Sequence, residues 1–461
     1  MGWQLWKIYE RKETAQAFAL LWNSLGQLTV VFEYNAESPQ SLESQIYTDL
    51  CALSDNKPVR SFPNKSVIRS TVVEAVGSVW TDFSETMQCA FQSGKALQIR
   101  TVNGALCGLP LDLSAEFAAF CSLLKEPTDL LNWNPNGEKS LPDVVDLQDV
   151  CFQEPFESYR GACLKISLLK NPKEFLVFKG VSFFDYLRFG PKLFQYQLAA
   201  SYREIQMINT ILPRHPNIMP PPKAFVVIRS TADVSRKHLV SGSIYPIYKN
   251  GSLAAVLNNS LEEKIRIALN RKAKWCFQLA SALHQVHFVA RSWHQDIKPP
   301  NLLLDDADSI VIIDWEQCGA NSFVLAPEAN GTFDVVGDVE GRRPLRYIAY
   351  DGPQRINDPI AIPEWNVFPE WVKECPEAAE LAEVYSLGKT MWLILEQVNT
   401  GHGDGEEDYA SEVIQWSPWS EDIPHSWKKI VGRCIEVDPN SRIRMKELCQ
   451  FWEDQWNKLE K

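Results

Sequence analysis

Four polar residues in the middle of the chain stand at intervals that suit work on a phosphate: Asp296, Lys298 two positions on, Asn301 five on and Asp314 eighteen on. Moving a γ-phosphoryl group demands little covalent chemistry of a protein. It demands placement and the neutralising of negative charge. A carboxylate at 296 can accept or orient the proton of an attacking hydroxyl, and an ammonium at 298 can offset charge on the phosphate. Magnesium takes hard oxygen ligands. Asn301 offers an amide oxygen and Asp314 a carboxylate. The run Ser309-Ile310-Val311-Ile312-Ile313 reads as a buried strand that carries Asp314 rigidly at its C-terminal end.

Such residues need elements to hold them. Lys272 to Phe288 is amphipathic, with Trp275, Leu279, Leu283 and Val286 at helical spacing, and leads straight into the polar cluster. Upstream, Glu174-Phe175-Leu176-Val177-Phe178-Lys179 reads as a strand ending in a cation. Ala199 to Ile208 reads as a helix, followed by Pro213-Arg214-His215-Pro216-Asn217-Ile218. Near the N-terminus, Glu13 to Leu25 has helical spacing and Leu28 to Phe32 reads as a strand. Trp133 to Ser140 is a turn-forming cluster, read as a linker.

The order H-x-D-x-K-x-x-N in His294-Gln295-Asp296-Ile297-Lys298-Pro299-Pro300-Asn301, followed by a strand ending in Asp314, resembles the catalytic loop and metal-binding motif of eukaryotic protein kinases. The resemblance runs over residues 160 to 455 and is most specific over 294 to 316. It implies an α+β, two-lobed protein kinase-like fold with an N-terminal extension. Residues 1–140 would be a region of unknown role. Residues 145–455 would be the kinase-like domain, with a small lobe over 145–250 and a large lobe over 251–455. The implied cofactors are ATP and Mg2+ in a cleft. Asp296 and Lys298 would be catalytic, and Asn301 and Asp314 the metal ligands. Lys179 would grip the α- and β-phosphates and Glu204 would hold Lys179. Adenine would lie along the hinge at Tyr245, Ile247 and Tyr248. The implied reaction is phosphoryl transfer to Ser or Thr hydroxyls of a protein substrate that the sequence does not identify.

The chain departs from the family pattern at several points. The Gly-rich loop expected before Lys179 is reduced to Tyr159-Arg160-Gly161-Ala162, with a single Gly. Trp315-Glu316 follows Asp314 where kinases carry Phe-Gly. Gln295 replaces the usual Arg, so the ion pair with a phosphorylated activation loop is lost and loop phosphorylation is not expected to be the main switch. Ala326-Pro327-Glu328 spells the triplet that closes an activation segment. Yet Glu383-Val384-Tyr385-Ser386-Leu387-Gly388, which resembles the next core helix with Glu for Asp, comes some 55 residues later. Either an insertion follows the triplet or the triplet is accidental. Asp438-Pro439-Asn440-Ser441-Arg442 resembles the D-P-x-x-R near the end of kinase large lobes, whose Arg is structural.

Two other readings share these residues. Ile313-Asp314-Trp315-Glu316 is similar to the I-D-W-E of aminoglycoside and choline phosphotransferases, which act on small-molecule hydroxyls. Lys298 and the large-lobe landmarks favour the protein kinase. The poor Gly loop and Trp315-Glu316 would suit a pseudokinase scaffold, but a scaffold has no chemical need of Lys179, Asp296, Asn301 and Asp314 together.

Composition sets the remaining bounds. The chain has 461 residues, 45% of them apolar, enough for two to three domains. A net charge of −12 and a pI near 5.2 argue against nucleic-acid partners and against docking on an anionic membrane. Its 11 Cys, an odd number with no C-x-x-C, fit reduced thiols in a cytoplasmic or nuclear protein. No run approaches the roughly 20 apolar residues of a spanning helix. The acidic stretch Gly401 to Asp408 reads as a solvated, flexible loop rather than a functional one, and the His residues show no metal spacing.

Overall fold

The computed structural model describes residues 4–23, 26–55, 63–80, 94–132, 141–156, 161–229, 238–320, 323–336, 344–352, 355, 366–398 and 414–460. The linker at Trp133 to Ser140, the Tyr159-Arg160 half of the reduced Gly loop and the acidic stretch Gly401 to Asp408 lie outside the described residues. Two compact units are present, residues 1–201 with 222–247 and residues 202–221 with 248–461. The first is rich in sheet and the second in helix, the two-lobed kinase-like α+β architecture that the motifs imply.

In the first unit, β1 (Gln4–Arg11), β2 (Gln16–Asn23), β3 (Gly26–Glu33), β4 (Lys95–Val102) and β5 (Ala105–Asp112) form a sheet in that order. Neighbours are antiparallel except β3 and β4. A parallel pair needs a crossover, supplied here by α1 (Leu42–Asp55) and α2 (Pro63–Trp80). These helices pack Ile46, Val72 and Val76 against Leu21, Val30, Phe32, Leu97 and Ile99 of the sheet. The expected helix at Glu13 to Leu25 is therefore wrong, for β2 occupies it. Ala17, Phe18, Ala19, Leu20 and Leu21 are all buried, so both faces of the strand are covered. A continuous apolar run of this kind has no period of two to betray it.

The same unit contains α3 (Ser114–Leu123), α4 (Pro127–Leu131) and a second sheet. Its strands are β6 (Asp143–Asp146), β7 (Val150–Pro155), β8 (Ala162–Leu168), β9 (Asn171–Gly180), β10 (Ala224–Arg229) and β11 (His238–Pro246), ordered β6-β10-β11-β9-β8-β7. Gly180 faces Gly242 across β9 and β11. A Cβ on Gly242 would sit 2.5 Å from the Lys179 carbonyl oxygen, so the close approach beside Lys179 requires glycine. Lys7 of β1 ties the two sheets of this unit together. Its Nζ donates to the Gly161 carbonyl at 2.8 Å and to the buried Asp185 carboxylate at 3.1 Å.

The helix expected at Ala199 to Ile208 is the end of a longer one, α5 (Phe183–Gln206). Gly190 breaks it at φ 69° and Pro191 restarts it, as Pro at the head of a helix can. A π-helical turn, Met207–Ile211, follows. In the second unit α6 (Leu253–Glu262) and α7 (Leu269–Phe288) lead to a hairpin of β12 (Leu302–Leu304) and β13 (Ile310–Ile312). A second hairpin, β14 (Phe333–Val336) with β15 (Arg346–Ala349), is followed by α8 (Phe368–Glu374), α9 (Pro376–Glu396), α10 (His425–Cys434) and α11 (Met445–Leu459). Helix α9 is buried along nearly its whole length, and the site is built around it. Among the described residues no helix is long and apolar enough to cross a membrane.

Candidate active site

The loop from Ser292 to Lys298 has no regular structure, so its shape must come from polar contacts. The largest is with Glu383, fully buried in the middle of α9. One carboxylate oxygen accepts the backbone N–H of His294 and of Gln295, each at 2.7 Å. The other meets Nε2 of His287, at the end of α7, at 2.5 Å. Burial pushes the Glu383 carboxyl up. The His287 imidazole and the Gln295 N–H more than offset this and hold it below its ordinary value. An ionised side chain thus anchors the loop from below. About two turns further along α9, Thr390 donates its hydroxyl to the Ile297 carbonyl at 2.6 Å.

His294 then orders the next layer. Its Nε2 donates to the Ile313 carbonyl at 2.8 Å, and its Nδ1 accepts the Asp296 N–H at 3.2 Å. One nitrogen donating and one accepting is the neutral tautomer. The ring lies edge-on to Trp315, centroids 4.5 Å apart, and the indole N–H reaches the Ile312 carbonyl at 3.0 Å. Trp315 is fully buried and fills the apolar position after Asp314.

Three of the four residues singled out by spacing meet directly. Lys298 Nζ lies 2.7 Å from Asp296 Oδ2. Asn301 Nδ2 donates to the Asp296 carbonyl at 2.8 Å and to Oδ2 at 3.1 Å. Asp314 is brought beside them through the backbone, since the Ile313 N–H donates to the Asn301 carbonyl at 3.0 Å. The β12–β13 hairpin carries Asp314 as expected, one residue shorter at its end than the apolar run. The His215 to Ile218 stretch secures that hairpin. Asn217 Nδ2 donates to the Ile310 carbonyl at 2.8 Å, and the Asn217 carbonyl accepts the Ile312 N–H at 2.9 Å.

Asp314 sits at φ 69°, a region that short polar side chains tolerate better than others. Its carboxylate, that of Glu316 and that of the buried Glu204 approach one another to within 4.8 Å. Glu316 was not singled out by spacing. Its signals in the sequence are its place two residues after Asp314 and in the I-D-W-E run. Of the remaining sequence candidates, Lys179, Tyr245 and Ile247 belong to the first unit and Tyr248 to the second, as does Glu204. On β9, Lys179 is paired with Ser243, and Tyr245 with Val177. Tyr245 is buried. The Tyr248 hydroxyl lies 4.0 Å from the Met219 sulfur, and burial raises its pKa.

The triplet Ala326-Pro327-Glu328 is tied into the fold. Glu328 is buried and grips Arg442 with both oxygens, at 2.5 and 2.9 Å. An insertion therefore follows it. That insertion is fastened to the second unit at several points. The Leu345 N–H donates to Asn440 Oδ1 at 2.7 Å, and Arg355 pairs with Asp334 at 2.5 Å and Glu370 at 3.2 Å. At its end Asn366 donates from Nδ2 to Gln295 Oε1 and, at 3.3 Å, to the Gln317 carbonyl. No local sequence signal marks Asn366, which lies 71 residues from its partner.

No family model matches the chain. Among curated proteins, it is similar to a "putative mitogen-activated protein kinase kinase kinase 7-like" protein of Drosophila melanogaster, 25% identical over 42% of this chain and 44% of that one. It is also similar to the "serine/threonine-protein kinase PknD" of Chlamydia muridarum, 30% identical over 32% of this chain and 16% of that one. The "serine/threonine-protein kinase CHK1" of Saccharomyces cerevisiae is 25% identical over 37% of this chain and 29% of that one. The chain thus spans less than half the length of these relatives. At this identity and coverage the likeness supports a protein kinase-like superfamily and singles out no family within it.

Proposed function

We propose that the chain is an ATP- and magnesium-dependent serine/threonine protein kinase. The observation that carries the reading is the convergence on Asp296: an ammonium and an amide N–H on one carboxylate oxygen, with Asp314 held next to Asn301. Asp296 orients the attacking hydroxyl and takes its proton, and Lys298 sits where charge on the transferring group must be offset. Because Asn301 turns its nitrogen to Asp296, its amide oxygen is the donor for a cation. With Asp314 that makes a set of hard oxygens suited to Mg2+. Glu204 and Glu316 add negative charge that calls for cations nearby. In this reading one of those is Mg2+, and the ammonium of Lys179 grips the phosphates. When bound, the metal neutralises charge on the β- and γ-phosphates. Backbone groups at Tyr245, Ile247 and Tyr248 receive adenine.

The Glu328–Arg442 pair supports a protein rather than a small-molecule acceptor, because it closes a segment of the kind that protein kinases place beside their substrates. The names of the relatives support the same reading. The test is transfer of labelled γ-phosphate from ATP in magnesium, with wild type beside Asp314→Ala and Asp296→Ala. Label on a generic protein substrate or on the chain itself, falling about 10²- to 10⁴-fold in the Asp296 variant, is the expected result. Transfer to small hydroxyl compounds alone would replace this reading with that of a small-molecule phosphotransferase. No transfer from a folded protein would leave a scaffold.

A further inference from the structure

Three residues near the candidate site hold backbone in the left-handed region without being glycine: Gln295 at φ 79°, Asp314 at φ 69° and Gln317 at φ 55°. For a residue as long as Gln this conformation is costly, on the order of 1 kcal/mol or more, and persists only where neighbours impose it. Both glutamines are buried, and the side chains that fix them belong to one network. Gln295 Oε1 accepts from Asn366 Nδ2. The same nitrogen reaches the Gln317 carbonyl. Gln317 Nε2 donates to Ser292 Oγ at 3.1 Å and to the Trp293 carbonyl, and its Oε1 accepts Nε of Arg203 at 3.0 Å. Arg203 also lies over the Trp293 ring, 6.0 Å from its centroid. Its guanidinium adds a charged donor to this set.

We infer that Asn366 and Gln317 are positioning residues for the catalytic loop, and that this neutral amide clamp holds the loop in working shape without a phosphate on the activation segment. The inference rests on the reading of residues 294 to 314 as a phosphoryl-transfer site. The Asn366 amide can face only one way. Two carbonyl-type oxygens, Gln295 Oε1 and the Gln317 carbonyl, need its N–H groups, while its Oδ1 accepts the Phe368 N–H at 2.9 Å and starts α8. One side chain therefore joins the end of the insertion to the loop, bracing Asp296 through its neighbour Gln295. A phosphorylated residue supplies charge-assisted hydrogen bonds to an Arg. Here the Asn366 amide supplies neutral ones that are always present.

Asn366→Asp separates this role from that of starting α8. The carboxylate keeps an acceptor for Phe368 but sets oxygen against the fixed Gln317 carbonyl, and can be met by Gln295 only if that side chain turns its amide over. Two measurements on the full chain decide the matter. The first is kcat and KM for labelled ATP and a generic protein substrate, with wild type assayed before and after phosphatase treatment. The second is amide hydrogen exchange over residues 292–301 and 368–374. Expected are an unchanged wild-type rate after phosphatase and an Asn366→Asp kcat about 10- to 100-fold lower with KM for ATP within about twofold. Exchange should be faster over 292–301 but not over 368–374. A phosphatase-sensitive wild type, or an Asn366→Asp variant with wild-type kcat and exchange, would overturn the inference. If wild type transfers no phosphate, the site reading fails by itself. The exchange measurement then still decides whether Asn366 fastens the loop.

Discussion

The five-stranded sheet and the catalytic loop are held by opposite means. In the sheet, Leu21, Val30, Phe32, Leu97 and Ile99 meet the apolar faces of two helices. Burial of roughly 25 cal/mol per Å2 of apolar surface holds them there, whatever the direction of each contact. Around Asp296 the shape of the loop depends on direction. Glu383, His287, Thr390, His294, Asn366 and Gln317 fix it through hydrogen bonds, each with one acceptable direction. Hydrophobic burial brings elements together but does not aim an oxygen. A site that must aim several oxygens needs buried polar groups, and each one left without a partner is costly.

This contrast can be broken by mutation, most severely at the buried ion pair. Arg442→Ala leaves the Glu328 carboxylate buried without its bidentate partner, and such removals cost about 3–5 kcal/mol. Denaturant unfolding should give that loss, whereas replacing both partners together should cost less than twice the single change. In the sheet, Leu97→Ala removes apolar volume only and should cost about 2–5 kcal/mol. Ile99→Val should cost about 0.5–1.5 kcal/mol. A steady scaling of loss with volume in the sheet, and its absence at Glu328 and Arg442, would sharpen the comparison. Equal scaling in both places would dissolve it.

A further effect is a matter of pH. Lys272 of α7 is fully buried and donates to the Leu395 carbonyl at 2.8 Å. Burial foremost, with Arg266 adding to it, lowers its pKa from 10.5 to about 7; Asp422 and Glu396 oppose the change. Between about 7 and 10.5 the unfolded chain holds a proton here that the folded chain has given up. Stability should therefore rise with pH across that window. The cost of burying the cation is fully present below it. Lys272→Met should flatten this part of the pH–stability curve and stabilise the protein near neutral pH. An unchanged slope would show that the ammonium is better solvated than its burial suggests.

What the sequence disclosed and what it hid divide along the same line. Asp296, Lys298, Asn301 and Asp314 were legible because their spacing along one short stretch is itself the geometry of the loop and hairpin. The strand at Lys179 and the helix at α7 were legible from periodicity. Strand β2 was misread as helix because it is covered on both faces and shows no alternation. The start of α5 was missed because Gly190 and Pro191 argue against a helix that the fold restarts at once. Asn366 and the Glu328–Arg442 pair were hidden for another reason. A polar contact between residues 71 or 114 positions apart leaves no local pattern, and a single Asn is not distinguishable from any loop residue until the chain is folded around it.

The way the insertion after Glu328 is fastened bears on how its length can vary. Glu328 at one end is locked to Arg442, and Asn366 at the other is locked to Gln295. Chain added between these posts without disturbing the contacts of Leu345 and Arg355 would cost the entropy of closing a longer loop, about 0.6 kcal/mol for each doubling of its length. With its two ends tied in this way, new sequence inserted between those contacts would leave the ties at Arg442 and Gln295, and so the geometry around Asp296, in place.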